Sequence, residues 1–138
     1  YVALVFDNIK KDKLTIDAPI GRDDINRLRK AVNGIGSRDA GTHIRELKRY
    51  GKYTLVAARL ETGRTHQIRV HMASIKHPLV GDSLYGPKKQ PFGLTGQLLH
   101  ARLLGFIHPR TGEYMEFSSE IPEYFQEVLD KLDDTENK

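Results

Sequence analysis

The chain has 138 residues, 29% of them charged, with no cysteine and a formal net charge of +4. This length suits one domain or part of one, no apolar run is long enough to span a membrane, and the lack of Cys excludes disulfides and thiolate metal sites while fitting the cytoplasm, the expected compartment. Charge is uneven: residues 123 to 138 carry six acidic and two basic side chains, a net of −4 that leaves about +8 on the rest, and a basic body of this kind suits a polyanionic partner or a merely soluble basic domain.

The first residue is Tyr1, so the chain is expected to be a piece of something longer. Residues 1–6 are a β-rich apolar run, and 14–18 alternate like a second strand that stops at Pro19. Residues 21–24 read as a turn-rich loop and 28–32 as a brief strand. Gly34, Gly36 and Gly41 then mark a flexible loop. Residues 42–49 and 53–61 read as antiparallel partners around the turn at 50–52, since Val56, Ala58 and Leu60 share one face.

That hairpin leads into the densest stretch of the chain, residues 60–71, where Arg64, His66, Arg69 and His71 surround Gly63. Ile68, Met72 and Ile75 recur at helical spacing, which predicts a helix from Thr65, as its N-cap, to about Lys76, ending before Pro78. A helix start offers unpaired N–H groups and the positive end of the dipole, and two guanidiniums add forked donors for a carboxylate or a phosphate. The competing interpretation is a basic helix start carrying surface ion pairs. His66 and His71 are five apart, on different faces, so the pattern argues against zinc and for hydrogen bonds that hold the turn. Asp82 follows Gly81 in a sharp connection and reads first as a turn-stabilising contact.

Residues 86–97 read as a mobile basic loop containing Lys88 and Lys89. A buried strand over 98–107, a turn over 108–112 and a return over 114–117 follow. Pro122 opens a final helix whose Phe125, Val128, Leu129 and Leu132 form one apolar stripe, with 133–138 fraying. Strands outnumber helices and the hairpins are local, so the fold class is α+β with a mainly antiparallel sheet flanked by helices.

The run Thr62-Gly63-Arg64-Thr65-His66-Gln67-Ile68-Arg69-Val70-His71, followed by His77-Pro78-Leu79-Val80-Gly81-Asp82 and Leu84-Tyr85-Gly86, resembles the signature of RluA-type pseudouridine synthases, which isomerise uridine in structured RNA. The likeness continues through Leu99-His100-Ala101 and Ile121-Pro122. It implies a cofactor-free and metal-free reaction in which the uridine leaves the stack, an aspartate assists cleavage of the base–sugar bond, and the base rejoins through carbon. That aspartate belongs to a histidine-arginine-leucine-aspartate motif absent from these residues, so the chain is expected to be the C-terminal portion of one catalytic domain whose N-terminal part carries the nucleophile.

By the same resemblance Tyr1, in Tyr1-Val2-Ala3, stacks on the target base and Arg69 pairs with the aspartate. Arg64 serves that cluster or a phosphate, and Arg22, Lys88 and Lys89 are candidates for backbone contacts to structured RNA, ribosomal RNA being the family's usual substrate. The alternative is a non-catalytic RNA-binding module with the same fold. Neither reading fixes an oligomeric state.

Overall fold

The five apolar residues after Tyr1 form an interior strand of the main sheet. In the computed structural model, which describes residues 1–26 and 28–136, β1 (Val2–Phe6) lies inside a five-stranded sheet ordered β2-β6-β7-β1-β8. A strand covered on both faces shows no polar alternation, and Val2, Ala3, Leu4 and Val5 are all 5% exposed or less. Its companions are β2 (Lys13–Asp17), β6 (Gly41–Arg49), β7 (Tyr53–Leu60) and β8 (Leu99–His100). The expected hairpin is the β6–β7 pair, turned at Gly51, where φ is +90°.

Register decides what each face carries. Ala3 lies opposite Val56, and Ile44 opposite Ala58, so these residues share a face on which Ile68 and Met72 of α1 (Gln67–Ser74) close a core. Val2 and Leu4 point the other way, against Phe125, Val128, Leu129 and Leu132 of α2 (Glu123–Glu136). The predicted stripe is therefore the packing face of α2, and each large side chain buried there contributes roughly 2 kcal/mol. Fraying from residue 133 is corrected: α2 continues to Glu136, and Asp133 accepts a 2.6 Å ion-paired hydrogen bond from Lys48.

Two of the expected loops are strands. β3 (Ile20–Arg22), β4 (Lys30–Val32) and β5 (Ile35–Arg38) form a second sheet ordered β4-β3-β5, covering residues read as a turn at 21–24 and a flexible loop at 34–41. The glycines serve close approach here. A Cβ on Gly21 would stand 2.6 Å from the Ile35 carbonyl oxygen, a contact that no side chain tolerates. Ile20 of this sheet joins Val70 of α1, Ala40 and Tyr85 in a small core of its own, which ties the sheet to the helix.

The expected strand over 98–107 is broken in two. Running antiparallel to β1, Leu99 and His100 pair with Ala3 and Val2 at its start. The chain then leaves to form a separate ribbon of β9 (Leu103–Ile107) and β10 (Tyr114–Ser118). All strand pairings among the described residues are antiparallel and a helix covers each face of the main sheet, which gives the α+β class read from the sequence. No helix among those residues is long and apolar enough to cross a membrane.

Candidate active site

The turn between β7 and α1 is held differently from its sequence expectation. Thr65 is not the N-cap: the helix begins at Gln67, and the capping position is His66, in the left-handed region at φ 56° with no side-chain cap bond. The turn ahead of the helix is instead held by a side chain from the helix's first residue. Gln67 is 2% exposed, and its Oε1 accepts from the Thr62 hydroxyl at 2.7 Å and the Arg64 amide at 3.0 Å. Its Nε2 donates to the Gly41 carbonyl at 2.9 Å and to Thr42 Oγ1 at 3.0 Å, fastening the turn to β6. The far end also comes earlier than expected, at Ser74, and Lys76 turns left-handed at φ 67° ahead of Pro78.

A non-glycine residue in the left-handed region costs about 1 kcal/mol, and at His66 a specific contact offsets it. Its Nδ1 lies 2.7 Å from the Tyr85 hydroxyl, which also accepts the Lys30 amide at 2.8 Å. Burial first, and then the Arg69 charge, hold the His66 pKa below its ordinary value.

Arg69, one turn further on, grips Asp82. Its Nε donates to Oδ2 at 2.8 Å and its Nη2 to Oδ1 at 3.0 Å, a forked pair in which the Asp82 side chain is 0% and that of Arg69 14% exposed. Asp82 Oδ1 also accepts the Leu84 and Tyr85 amides at 3.1 and 3.2 Å, so the expected turn contact exists beside the ion pair. Burial alone would raise the Asp82 pKa. The Arg69 fork and the two amides outweigh it and hold the carboxyl below its usual value, while the same bond raises Arg69.

Asp82 is fixed from behind. The segment before it docks along β1 through bonds from the Phe6 amide to the Pro78 carbonyl and from the Val80 amide to the Leu4 carbonyl. Gly81 then turns at φ +91°, where any Cβ would overlap the Gly96 carbonyl. The Tyr85 ring lies against two guanidiniums, with Arg69 Cζ 5.0 Å and Arg29 Cζ 5.2 Å from its centroid. The Arg29 Nε is buried and has no hydrogen-bond partner among the described residues.

Beside this cluster is an open cleft of about 490 Å³ lined by Arg22, Lys30, Arg38 and Arg64, with the backbone bared at Gly21, Gly36 and Gly63 and no acidic side chain in the lining. Arg22 and Lys30 are direct cross-strand partners, a like-charge pairing that costs stability unless an anion lies over it. Arg64 is held by a 2.8 Å bond from its Nε to the Asp39 carbonyl. Of the residues singled out from the sequence, Arg22 and Arg64 thus meet in one cleft, and Arg69 does not line it.

The others lie apart. Tyr1 is 40% exposed and exchanges both main-chain bonds with Ala58; two residues before Ala3, it falls by alternation on the face that carries α1. Lys88 and Lys89 are exposed in a loop that is bonded back to the Gly81–Asp82 turn. Gln90 pins it by donating to the Asp82 and Pro87 carbonyls and accepting the Gly81 amide. Phe92, in a 3-10 turn over Pro91–Gly93, packs 5.7 Å from the Tyr53 ring.

The histidines do not brace the turn locally. His71 is fully buried, donates through Nε2 to the Ala18 carbonyl and accepts the Thr42 hydroxyl at Nδ1, both at 2.8 Å, which ties α1 to two strands. Among the described residues no three of His, Asp and Glu gather to hold a metal. The sequence reading gave no role to Gln67, Tyr85, Lys30, Arg38 or Arg29. For Lys30 and Arg38 the signal was available in principle, since strands at 30–32 and 35–38 would have brought the cations of three adjacent strands together.

The profile of the RNA pseudouridylate synthase family matches residues 1–74. The chain is 52% identical over 132 residues to the uncharacterized RNA pseudouridine synthase YlyB of Bacillus subtilis, covering 96% of this chain and 43% of that protein. It is 43% identical over 127 residues to ribosomal large subunit pseudouridine synthase D of Neisseria meningitidis serogroup A, covering 85% and 34%. The chain thus spans less than half the length of these relatives. In fold it is similar to human RNA pseudouridylate synthase domain containing 1, with a TM-score of 0.73 at 24% identity over 96% of this chain and 64% of that one.

Proposed function

The chain belongs to the RNA pseudouridylate synthase family, and from that premise we propose that the whole protein isomerises uridine to pseudouridine in structured RNA, with this chain as the C-terminal portion of its catalytic domain. The observation that carries the reading is Arg69, a partly buried guanidinium already gripped along one edge by Asp82 and joined through Tyr85 and Lys30 to an open cleft whose charged lining residues are all basic. Such an arginine can still offer N–H groups to a second carboxylate, since a guanidinium has five and Asp82 takes two of them.

In this reading Arg69 keeps the nucleophilic aspartate, contributed from outside this chain, ionised and oriented. Tyr1, exposed on the α1 face of the sheet, stacks on the extruded base. Arg22 and Arg64, now joined by Lys30 and Arg38, track the phosphate backbone, and Lys88 and Lys89 add contacts from the pinned loop. Extruding a base costs a few kcal/mol, which these phosphate contacts offset. Ribosomal RNA is the favoured substrate because several relatives are named ribosomal large subunit pseudouridine synthase D. The cytoplasm is the matching compartment, and the chemistry needs neither metal nor cofactor.

Tritium release from RNA labelled at uridine C5 tests this. The whole protein should release tritium and this chain alone should not. Arg69→Lys, a point charge in place of a fork, should cut turnover about a hundredfold, or roughly 3 kcal/mol, with RNA affinity little changed. No release by the whole protein would leave a non-catalytic RNA-binding module. Collapsed affinity with the saturated rate intact would make Arg69 a phosphate clamp.

A further inference from the structure

We propose that Asp82 is a positioning residue that locks the Arg69 guanidinium so that its far edge is presented to the reacting carboxylate; this rests on the synthase reading. A buried ion pair is a weak source of stability, because desolvating two charges cancels most of their attraction, and well-packed apolar residues of similar volume commonly do as well. The Arg69–Asp82 pair is better explained by geometry. Asp82 cannot move: its side chain is fully buried, Oδ1 accepts two main-chain amides, and the preceding segment is bonded to the central strand.

Gripping Nε and one N–H of Nη2 fixes the plane of the guanidinium, and the Tyr85 ring covers one side of it. What remains is both protons of Nη1 and the second proton of Nη2. These three donors lie in one plane, the pattern that a second carboxylate accepts. Charge also requires an explanation, because Asp82 neutralises Arg69 and would by itself repel another carboxylate. Arg29, against the same tyrosine, restores a net positive charge to the cluster. Carboxylate, guanidinium and carboxylate then stand in line, with Asp82 as the permanent end.

The test separates this role from the turn that Asp82 also stabilises. Asp82→Ser retains an oxygen that can accept the Leu84 or Tyr85 amide but abolishes the fork; Asp82→Asn keeps the shape but turns an amide donor toward an arginine donor. Both are made in the whole protein, alone and with Arg69→Lys, and checked by thermal melting. Turnover in the folded single variants should fall 10- to 100-fold with KM for RNA within about threefold. The acid limb of the turnover profile should move to higher pH, because loss of the oriented guanidinium outweighs relief from the Asp82 charge, whereas that charge alone would move it to lower pH. In the double variants the losses should not multiply, since Asp82 acts through Arg69.

A folded Asp82→Ser enzyme with an unmoved acid limb, or losses that multiply with those of Arg69→Lys, would overturn the role while leaving the synthase reading intact. Should Asp82→Ser not fold, the acid limb of Asp82→Asn and its double variant decide by the same criteria. Absence of tritium release by the unsubstituted protein sinks the synthase reading, and this proposal with it.

Discussion

Gln67→Leu is the substitution that most directly tests how the turn before α1 is built. Leucine has nearly the same volume, so the change creates no sizeable cavity and reports on hydrogen bonding. Four bonds disappear, but their partners fare unequally. The Gly41 carbonyl keeps the Glu61 amide at 3.0 Å, the Thr42 hydroxyl keeps His71, and the Thr62 hydroxyl keeps a 3.3 Å contact from the Gly41 amide. Each of these three losses is worth about 0.5–1 kcal/mol. The Arg64 amide has its recorded bond to Gln67 alone among the described residues, and leaving it unpaired costs about 1–3 kcal/mol.

The total is roughly 4 kcal/mol, a large part of the stability of an ordinary domain. In urea unfolding the midpoint should fall with an unchanged slope, and the thermal midpoint should drop by on the order of 10 °C. Gln67→Glu sharpens the test. Its two oxygens still accept from Thr62 and Arg64, but the ionised form faces the Gly41 carbonyl and Thr42 with no proton to donate, so this variant should be less stable at pH 8 than at pH 5. A loss below 1 kcal/mol for Gln67→Leu would show that the turn is held elsewhere, by the His66–Tyr85 contact, and that the buried amide is incidental.

Two further outcomes are expected. Burial depresses the His71 pKa, so between its folded value and the ordinary value of about 6.5 the unfolded chain binds a proton that the native state does not; the stability from neutral His71 is complete above about pH 6.5 and is lost as pH falls through the folded pKa. Urea midpoints from pH 7 to pH 5 should therefore decline less steeply in His71→Gln than in the unsubstituted protein, and an equal decline would refute the assignment. Lys30→Glu turns the Arg22–Lys30 like-charge pairing into an attractive one and should raise stability by about 0.2–1 kcal/mol while weakening RNA binding and flattening its salt dependence. Titrations at several salt concentrations beside thermal melts decide it; unchanged RNA affinity would remove Lys30, and the cleft with it, from the binding surface.

Periodicity made the β6–β7 hairpin and both helices legible, because their apolar residues repeat at 2 or near 3.6, while β1 was legible as a continuous apolar run. Val56, Ala58 and Leu60 mark β7, and Phe125, Val128, Leu129 and Leu132 mark α2 as plainly. Of the second sheet only β4 was read, as the brief strand over 28–32; β3 and β5 escaped because they are three and four residues long, too short for a repeat, and their glycines carry the composition of a loop. What those glycines do is set by a neighbouring backbone that is distant in sequence at Gly21 and Ile35. The Asp82 partnership was missed for a similar reason: the local reading, an aspartate after glycine making a turn contact, is satisfied, and its second job depends on residue 69 arriving from a helix.

The contacts that build the site join residues far apart in the chain: 67 with 41, 66 with 85, 30 with 85, 69 with 82. Several features there run against local preference. A histidine sits left-handed at the helix start, two cations face each other across β3 and β4, an ion pair is buried, and one guanidinium nitrogen is orphaned. Scattered over a protein these would be small defects; gathered where the second sheet meets α1, the facing cations and the orphaned guanidinium place positive charge around an ion pair that is itself neutral. Tyr85 connects them. Its hydroxyl holds β4 and His66, and its ring meets Arg29 and Arg69, so an anion that shifted β4 in the cleft would pull on the residue that carries the Arg69 guanidinium. In the synthase reading proposed above, Tyr85 is thus the residue that joins the cleft, through Lys30, to Arg69.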